Sequence, residues 1–255
     1  MDAWDPHLSS RFSEFWHIAD VLREFEQETS FPNLARWNLL AERAKLTNGA
    51  GLATSFVSHQ PRKRGAPWQL VSMYDALIWQ KGHVPSREGN WHDFFNMTIW
   101  RTFPKAKAAI NAAQWKALLT WLPGTEGDKL PGARLPEQDA LALLDEGGAL
   151  VVGRSGVLPP QGADELEHAC HEGRACVLLF GHALLEHVVT GEGEVRGASV
   201  RLALPAWPSD RVRFLHAVDI ALSESVARGE SVKRGERGVA LSLARTSAKT
   251  LAWSV

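Results

Sequence analysis

The run NWHDFFNMTIW at residues 90–100 restricts the possible folds more than any other stretch of the chain. Read as a helix from Trp91 to Arg101, it places Phe94, Phe95, Met97, Ile99 and Trp100 around almost the whole circumference. A helix that is apolar all round has to be buried, so the rest of the fold must wrap around it. Asn90 is a good N-cap residue, and Asp93 in the first turn suits both the helix dipole and a capping box with Asn90. Pro104 pushes the residue before it out of helical geometry and ends the segment. Three polar residues remain inside this apolar run: His92, Asp93 and Asn96. They are either caps and a satisfied hydrogen-bond network, or half of a metal or catalytic site. His92 and Asn96 are four residues apart and share one face.

Around this segment the periodicity predicts an α+β chain. Residues 10–46 read as two helices, the first with Phe12, Phe15, Trp16, Ala19, Leu22 and Phe25 on its buried face. Residues 47–68 read as a long loop with an extended piece at Phe56 and Val57. A short helix ends at Gly82, and a longer one follows Pro104 with Phe103, Ala106, Ile110, Ala113, Ala117 and Trp121 inward. Residues 123–135 form a Pro/Gly-rich linker between a helical part, 1–122, and a mixed part, 136–255. The second part is expected to hold a small, mostly antiparallel sheet. Its elements are a short helix from Pro136, a strand at ALVVG, a helix from Asp164 and the segment CVLLFGHALLEHVV, read as a strand leading into a helix or as one buried helix. Alternating SVRLALP follows, then a helix from Ser209 with Asp219 as its one polar core residue. VALSL and LAWSV close the chain as strands.

Composition excludes several function classes. A formal net charge of -1 gives no global attraction to nucleic acid or anionic membrane. The one dense basic run, Arg62-Lys63-Arg64, reads as a solvated loop. The N-terminus lacks a signal-peptide pattern, no apolar run is long enough to span a bilayer, and two cysteines suit a reducing compartment, so a cytoplasmic location is expected. Eleven tryptophans accompany a single tyrosine, and the tryptophans read as core.

A second polar cluster lies in FGHALLEHVV, where His182 and Glu186 share a helical face among apolar residues. A buried carboxylate there requires a cation, a metal or a proton. Arg87 or Arg101 would serve a structural network, and a divalent ion shared with His92 would make a site. Asp145, with Glu146 beside it, opposes the dipole at a helix C-terminus, and acids at such a junction read first as solvated and second as a further piece of a site. His168, Cys170, His171 and Cys176 have no zinc-site spacing. No nucleophile elbow, phosphate loop or HExxH motif occurs.

The blocks VPSREGNWHDFFNMTIWRTFPKAKAAIN, LPEQDALALLDEGGALVV and LLFGHALLEHVV, in that order, resemble a bacterial family known only as domain of unknown function 3025. The resemblance covers roughly residues 30–220. It implies shared positions at Arg87, His92, Asp93, Asn96, Pro104, Asn111, Asp139, Asp145, Glu146, Gly181, His182 and Glu186, and no chemistry. The expectation is a metal-dependent or acid/base hydrolase acting on a small molecule. In it His92, His182 and Glu186 hold a divalent ion, while Asp93, Asp145, Arg87 and Asn96 serve the chemistry. The rivals are a non-enzymatic protein with a buried stabilising network and a nucleic-acid accessory protein using residues 62–64 with Lys81, Lys105 and Lys107.

Overall fold

The structure is a computed structural model that describes residues 2–61, 73–120, 135–191 and 197–230. The apolar helix is present as α5, Trp91–Thr102, with Asn90 accepting a 2.9 Å hydrogen bond from the Asp93 amide. The capping box does not close. The Asp93 carboxylate turns instead to Arg87, because a guanidinium and a backbone amide together outbid one amide. Ten α-helices and five strands are described, and the α+β expectation holds.

The N-terminal stretch is less regular than its periodicity suggests. Only short turns form, α1 (Leu8–Arg11) and α2 (Ala19–Arg23), separated by a 3-10 turn at Ser13–Phe15. Phe12 is extended, and neither α1 nor α2 has a side-chain cap, so no long helix propagates. The apolar residues still reach the core: Phe15, Ile18, Leu22 and Phe25 are buried. Helix α3 (Leu34–Arg43) adds Trp37, which sits 4.6 Å from Phe25 and 5.4 Å from Phe94 between ring centroids. Such pairs contribute about 0.5–1.5 kcal/mol each beyond area burial, and here they surround one face of α5.

The extended piece at Phe56 and Val57 is strand β1 (Ser55–Ser58), paired in parallel with β2 (His83–Ser86). Between them, α4 (Tyr74–Lys81) ends at Gly82 with a φ of 68°. A Cβ at Gly82 would meet the Ala53 carbonyl at 2.1 Å, so both its conformation and its neighbour require glycine. Strand β2 leads into Arg87 and then α5. Phe103 breaks the helix, and α6 (Pro104–Leu119) restarts with Pro104 at its first turn.

In the second part α7 (Pro136–Gly147) feeds β3 (Gly148–Gly153). Then come α8 (Ala163–His171), β4 (Ala175–Leu179), α9 (His182–Thr190), β5 (Ala198–Ala203) and α10 (Arg211–Ala227). The sheet order is β4-β3-β5, with β3 antiparallel to β4 and parallel to β5. Thus the expected mostly antiparallel sheet is mixed. A strand and two helices intervene between β3 and β5, which lets β5 return in the same direction. Every residue of β3 and β4 is buried. Gly181 resolves the strand-or-helix ambiguity of CVLLFGHALLEHVV. A Cβ there would lie 2.4 Å from the Glu146 carbonyl oxygen, so the chain can turn from β4 into α9 only at glycine.

Helix α10 packs on α6, and α9 packs on both α5 and α7. Asp219 explains itself: its two oxygens accept from the Lys105 amide at 3.1 Å and the Ala106 amide at 2.8 Å, capping α6. No described helix is long and apolar enough to cross a membrane. The linker at 123–135, apart from Leu135, the basic run 62–64, Trp121 and the closing segments VALSL and LAWSV lie outside the described residues.

Candidate functional site

Helices α4, α5, α7 and α9, with the end of β2, enclose a cleft of about 340 Å³. Most of its lining residues are polar; Pro85 and Ala142 are not. Arg87, His92, Asp93, Asn96, Asp145 and His182, all singled out in the sequence, line it together. Glu186 stands behind His92.

One wall is a chain of three side chains. Glu186 Oε2 lies 3.0 Å from His92 Nδ1, and His92 Nε2 lies 3.1 Å from His182 Nε2. The rings meet edge to face, with centroids 4.5 Å apart. Helices α5 and α9 supply this wall because His92 falls in the first turn of one and His182 opens the other. His182 is buried, and burial first, with Lys107 and His92 adding to it and Asp145 opposing, pushes its pKa down to about 3. His182 therefore stays neutral. Its Nδ1 is buried without a hydrogen bond of good geometry, although the Asp145 backbone lies close enough to favour a proton there.

Two proton arrangements satisfy this chain. In one, neutral His92 donates from Nδ1 to Glu186 and accepts at Nε2 from His182. In the other, His92 carries both protons, donates to Glu186 and to His182 Nε2, and leaves the His182 proton on Nδ1 beside the Asp145 carbonyl. The two differ by one proton.

A second chain adjoins the first where Asp145 meets His182. Lys107 of α6 is only 3% exposed and bonds to Asp145 Oδ1, while its Nζ also donates to Asn96 Oδ1 at 2.9 Å. Asn96 Nδ2 donates to the Tyr74 hydroxyl at 2.8 Å. Asp145 thus has its explanation: the Lys107 ammonium, from a neighbouring helix, offsets both its burial and its place at a helix C-terminus. Sequence reasoning missed Lys107 and Tyr74 as parts of this cluster.

The third piece is Arg87 with Asp93. The Arg87 amide and Nε donate to Asp93 Oδ2 at 2.9 and 2.6 Å. Burial pushes the Asp93 pKa up, but the Arg87 side chain, amide and charge outweigh it and hold the carboxyl below its usual range. The Arg87 side chain remains 59% exposed at the cleft. Neither Arg87 nor Arg101 is the partner of Glu186. Arg87 takes Asp93, Arg101 lies 3.9 Å from Glu24, and Glu186 is half-buried on the imidazole of His92.

The donor set does not fit a divalent ion held by His92, His182 and Glu186. Glu186 occupies the Nδ1 side of His92, where a carboxylate orients an imidazole, so it does not share one point with the Nε2 atoms of His92 and His182. The three form a line rather than converging on a point. Among the described residues no group of three His, Cys, Asp or Glu side chains is arranged to hold a metal. The other histidine and cysteine group is dispersed. His168 and His171 make exposed pairs with Glu172 and Glu167, while Cys170 and Cys176 are buried thiols.

No curated protein and no solved structure matches the chain. A family sequence model does match, over residues 55–241. The match begins at β1, later than the resemblance suggested, and continues through α10, so it takes in every residue of the cleft. The chain belongs to the family described as protein of unknown function, DUF3025.

Proposed function

We propose that the cleft is an acid–base active site that hydrolyses a small molecule with water as the nucleophile. The observation that carries this reading is the Glu186–His92–His182 chain opening on a polar cleft. A carboxylate on Nδ1 fixes the ring and stabilises the imidazolium that forms when a proton is taken, as in other carboxylate–histidine pairs. No serine, threonine, cysteine or lysine lines the cleft among the described residues, which favours attack by water over a hydroxyl, thiol or amine nucleophile. Arg87, aimed by Asp93, supplies a fixed positive group for a substrate oxygen. Asn96 and Asp145 are held by Lys107 and orient rather than react.

A non-enzymatic network is the second reading, and the complete burial of Lys107 against Asp145 favours it for that pair. It leaves the half-exposed Glu186–His92 pair without a purpose. Lys107, enclosed in this network, is not available to nucleic-acid phosphate.

The test is hydrolysis of p-nitrophenyl acetate and p-nitroacetanilide by the purified protein. Glu186→Gln and His92→Asn should each lower kcat by about 100- to 10,000-fold, the usual range for a general acid–base group. Equal rates in the wild type and both variants would overturn the proposal.

A further inference from the structure

The chain through Lys107 and Asn96 has a direction. Lys107 carries donors and no acceptor, so the side of Asn96 facing it must be the carbonyl oxygen. That fixes the amide: Asn96 Nδ2 faces Tyr74 and donates to its oxygen. The hydroxyl has one proton of its own, and among the described residues its one hydrogen bond is the one it accepts. Its proton is left to donate elsewhere. Tyr74 lines the cleft that also holds His92 and His182.

Resting on the acid–base reading of the cleft, we infer that the Tyr74 hydroxyl is a catalytic hydrogen-bond donor to a carbonyl oxygen of the substrate, aimed by Lys107 through Asn96. The substrate class is then an ester or amide. As water adds to the carbonyl carbon, the C=O π pair moves onto the oxygen, and Tyr74 stabilises that oxyanion while keeping its own proton. The water proton goes to the His92–His182 pair and from there to the leaving group as its bond to carbon breaks. A donor fixed in advance stabilises such charge without reorganising. Desolvation of the hydroxyl, with the Asp145 charge beside it, raises the Tyr74 pKa above the usual tyrosine value although the residue as a whole keeps 37% of its surface exposed, so it donates without ionising. Lys107 and Asn96 are positioning residues in this scheme. The chain Lys107–Asn96–Tyr74 lines up three donors in one direction and ends at a hydroxyl that opens on the cleft.

The single tyrosine of the chain allows a test that needs no activity. Protein labelled with 3-fluorotyrosine gives one ¹⁹F resonance. Titration with N-methylacetamide, a neutral carbonyl acceptor, should move that resonance saturably. Asn96→Asp has the same size but presents an acceptor to Tyr74, so the hydroxyl should turn inward. The resonance should move in the free protein, and the response to N-methylacetamide should fall at least about tenfold. In hydrolysis of p-nitrophenyl acetate, Tyr74→Phe should lower kcat by about 100-fold with KM nearly unchanged. A wild-type resonance that does not respond to N-methylacetamide overturns the assignment, as does Tyr74→Phe retaining full kcat. If Asn96→Asp fails to fold, the wild-type titration and Tyr74→Phe still decide. A saturable shift without any hydrolysis keeps the donor and removes the acid–base reading, so the two failures are distinguishable.

Discussion

Asp219 and Asp145 are both buried carboxylates on otherwise apolar helix faces, and they serve opposite ends. Asp219 receives two backbone amides of α6 and points at nothing else in the solvent or the cleft. Asp145 faces a cleft and begins a chain that runs through Lys107 and Asn96 to a hydroxyl with a proton still to give. The histidines divide in the same way. His17 is sealed in the core with Nε2 2.7 Å from the Leu179 carbonyl, whereas His92 lies at the cleft wall between a carboxylate and a second imidazole. Burial of a polar group does not distinguish scaffold from site. Unspent hydrogen-bonding capacity facing a cavity does.

The largest effect that would sharpen this contrast is at Lys107. Replacing it by Met leaves Asp145 charged and buried without its partner, which should cost roughly 3–5 kcal/mol in denaturant unfolding. Replacing both residues, as Lys107→Met with Asp145→Leu, should recover much of that loss, because an apolar pair of similar volume removes the stranded charge. A double variant as unstable as the sum of the two single ones would show that the pair is not coupled.

Acid should act next, and on the scaffold. Burial pushes the His17 pKa down to about 4, below its ordinary value of 6.5. The folded state therefore binds fewer protons than the unfolded chain in that window. The stabilisation is complete above pH 6.5 and is lost as the pH falls toward 4, on the order of 3 kcal/mol for this group. Chemical unfolding at a series of pH values should show the loss, and His17→Gln should reduce it, leaving the part that comes from His182, whose pKa burial lowers to about 3. An unchanged slope in that variant would place the sensitivity elsewhere.

Asp219→Ala is the smallest of the three. It strands two amides at the start of α6 and should cost about 1–3 kcal/mol, with hydrolysis per folded molecule unchanged. Asp219 has the opposite pH sign. Burial, only partly opposed by the Ala106 and Lys105 amides, raises its pKa to about 6 from 3.8. Its contribution is complete below 3.8 and is lost as the pH rises through 6, so the variant should lose less relative to wild type at neutral pH than at pH 4. A loss of activity without loss of stability would break the division between the two aspartates.

Much of this arrangement was legible in the sequence where it was local. The Asn90 cap, the stop at Pro104 and the glycine end at Gly82 follow from backbone chemistry within a few residues. Gly181 leaves strand and helix open in the sequence, and its close approach to the Glu146 carbonyl decides between them. His92 and His182 stood out as polar residues in apolar helices, and both line the cleft. The pairing between helices was not legible, since the four-residue spacing of His182 and Glu186 fixes a face but not what that face meets. Glu186 was expected to be buried against arginine or metal, and it is half-buried against His92. Lys107 was missed because lysine on a helix is ordinarily solvated. The signal was present: it follows Phe103 by four residues and precedes Ile110 by three, which places it on the inward face. Tyr74 offered only its singularity. The parallel pairing of β3 with β5 was hidden because a strand and two helices separate them in the chain.

The central claim is that the cleft histidines form a proton-carrying chain while His17 is structural. Long-range ¹⁵N–¹H correlation of the histidine side chains at neutral pH, in the wild type and in Glu186→Leu, tests it most directly. The account predicts a proton on His92 Nδ1 in the wild type, held there by the carboxylate. In the variant that proton should leave Nδ1, and the His182 signals should move with it through their shared Nε2 contact, while His17 stays fixed. His92 and His182 spectra indifferent to the loss of Glu186 would contradict it.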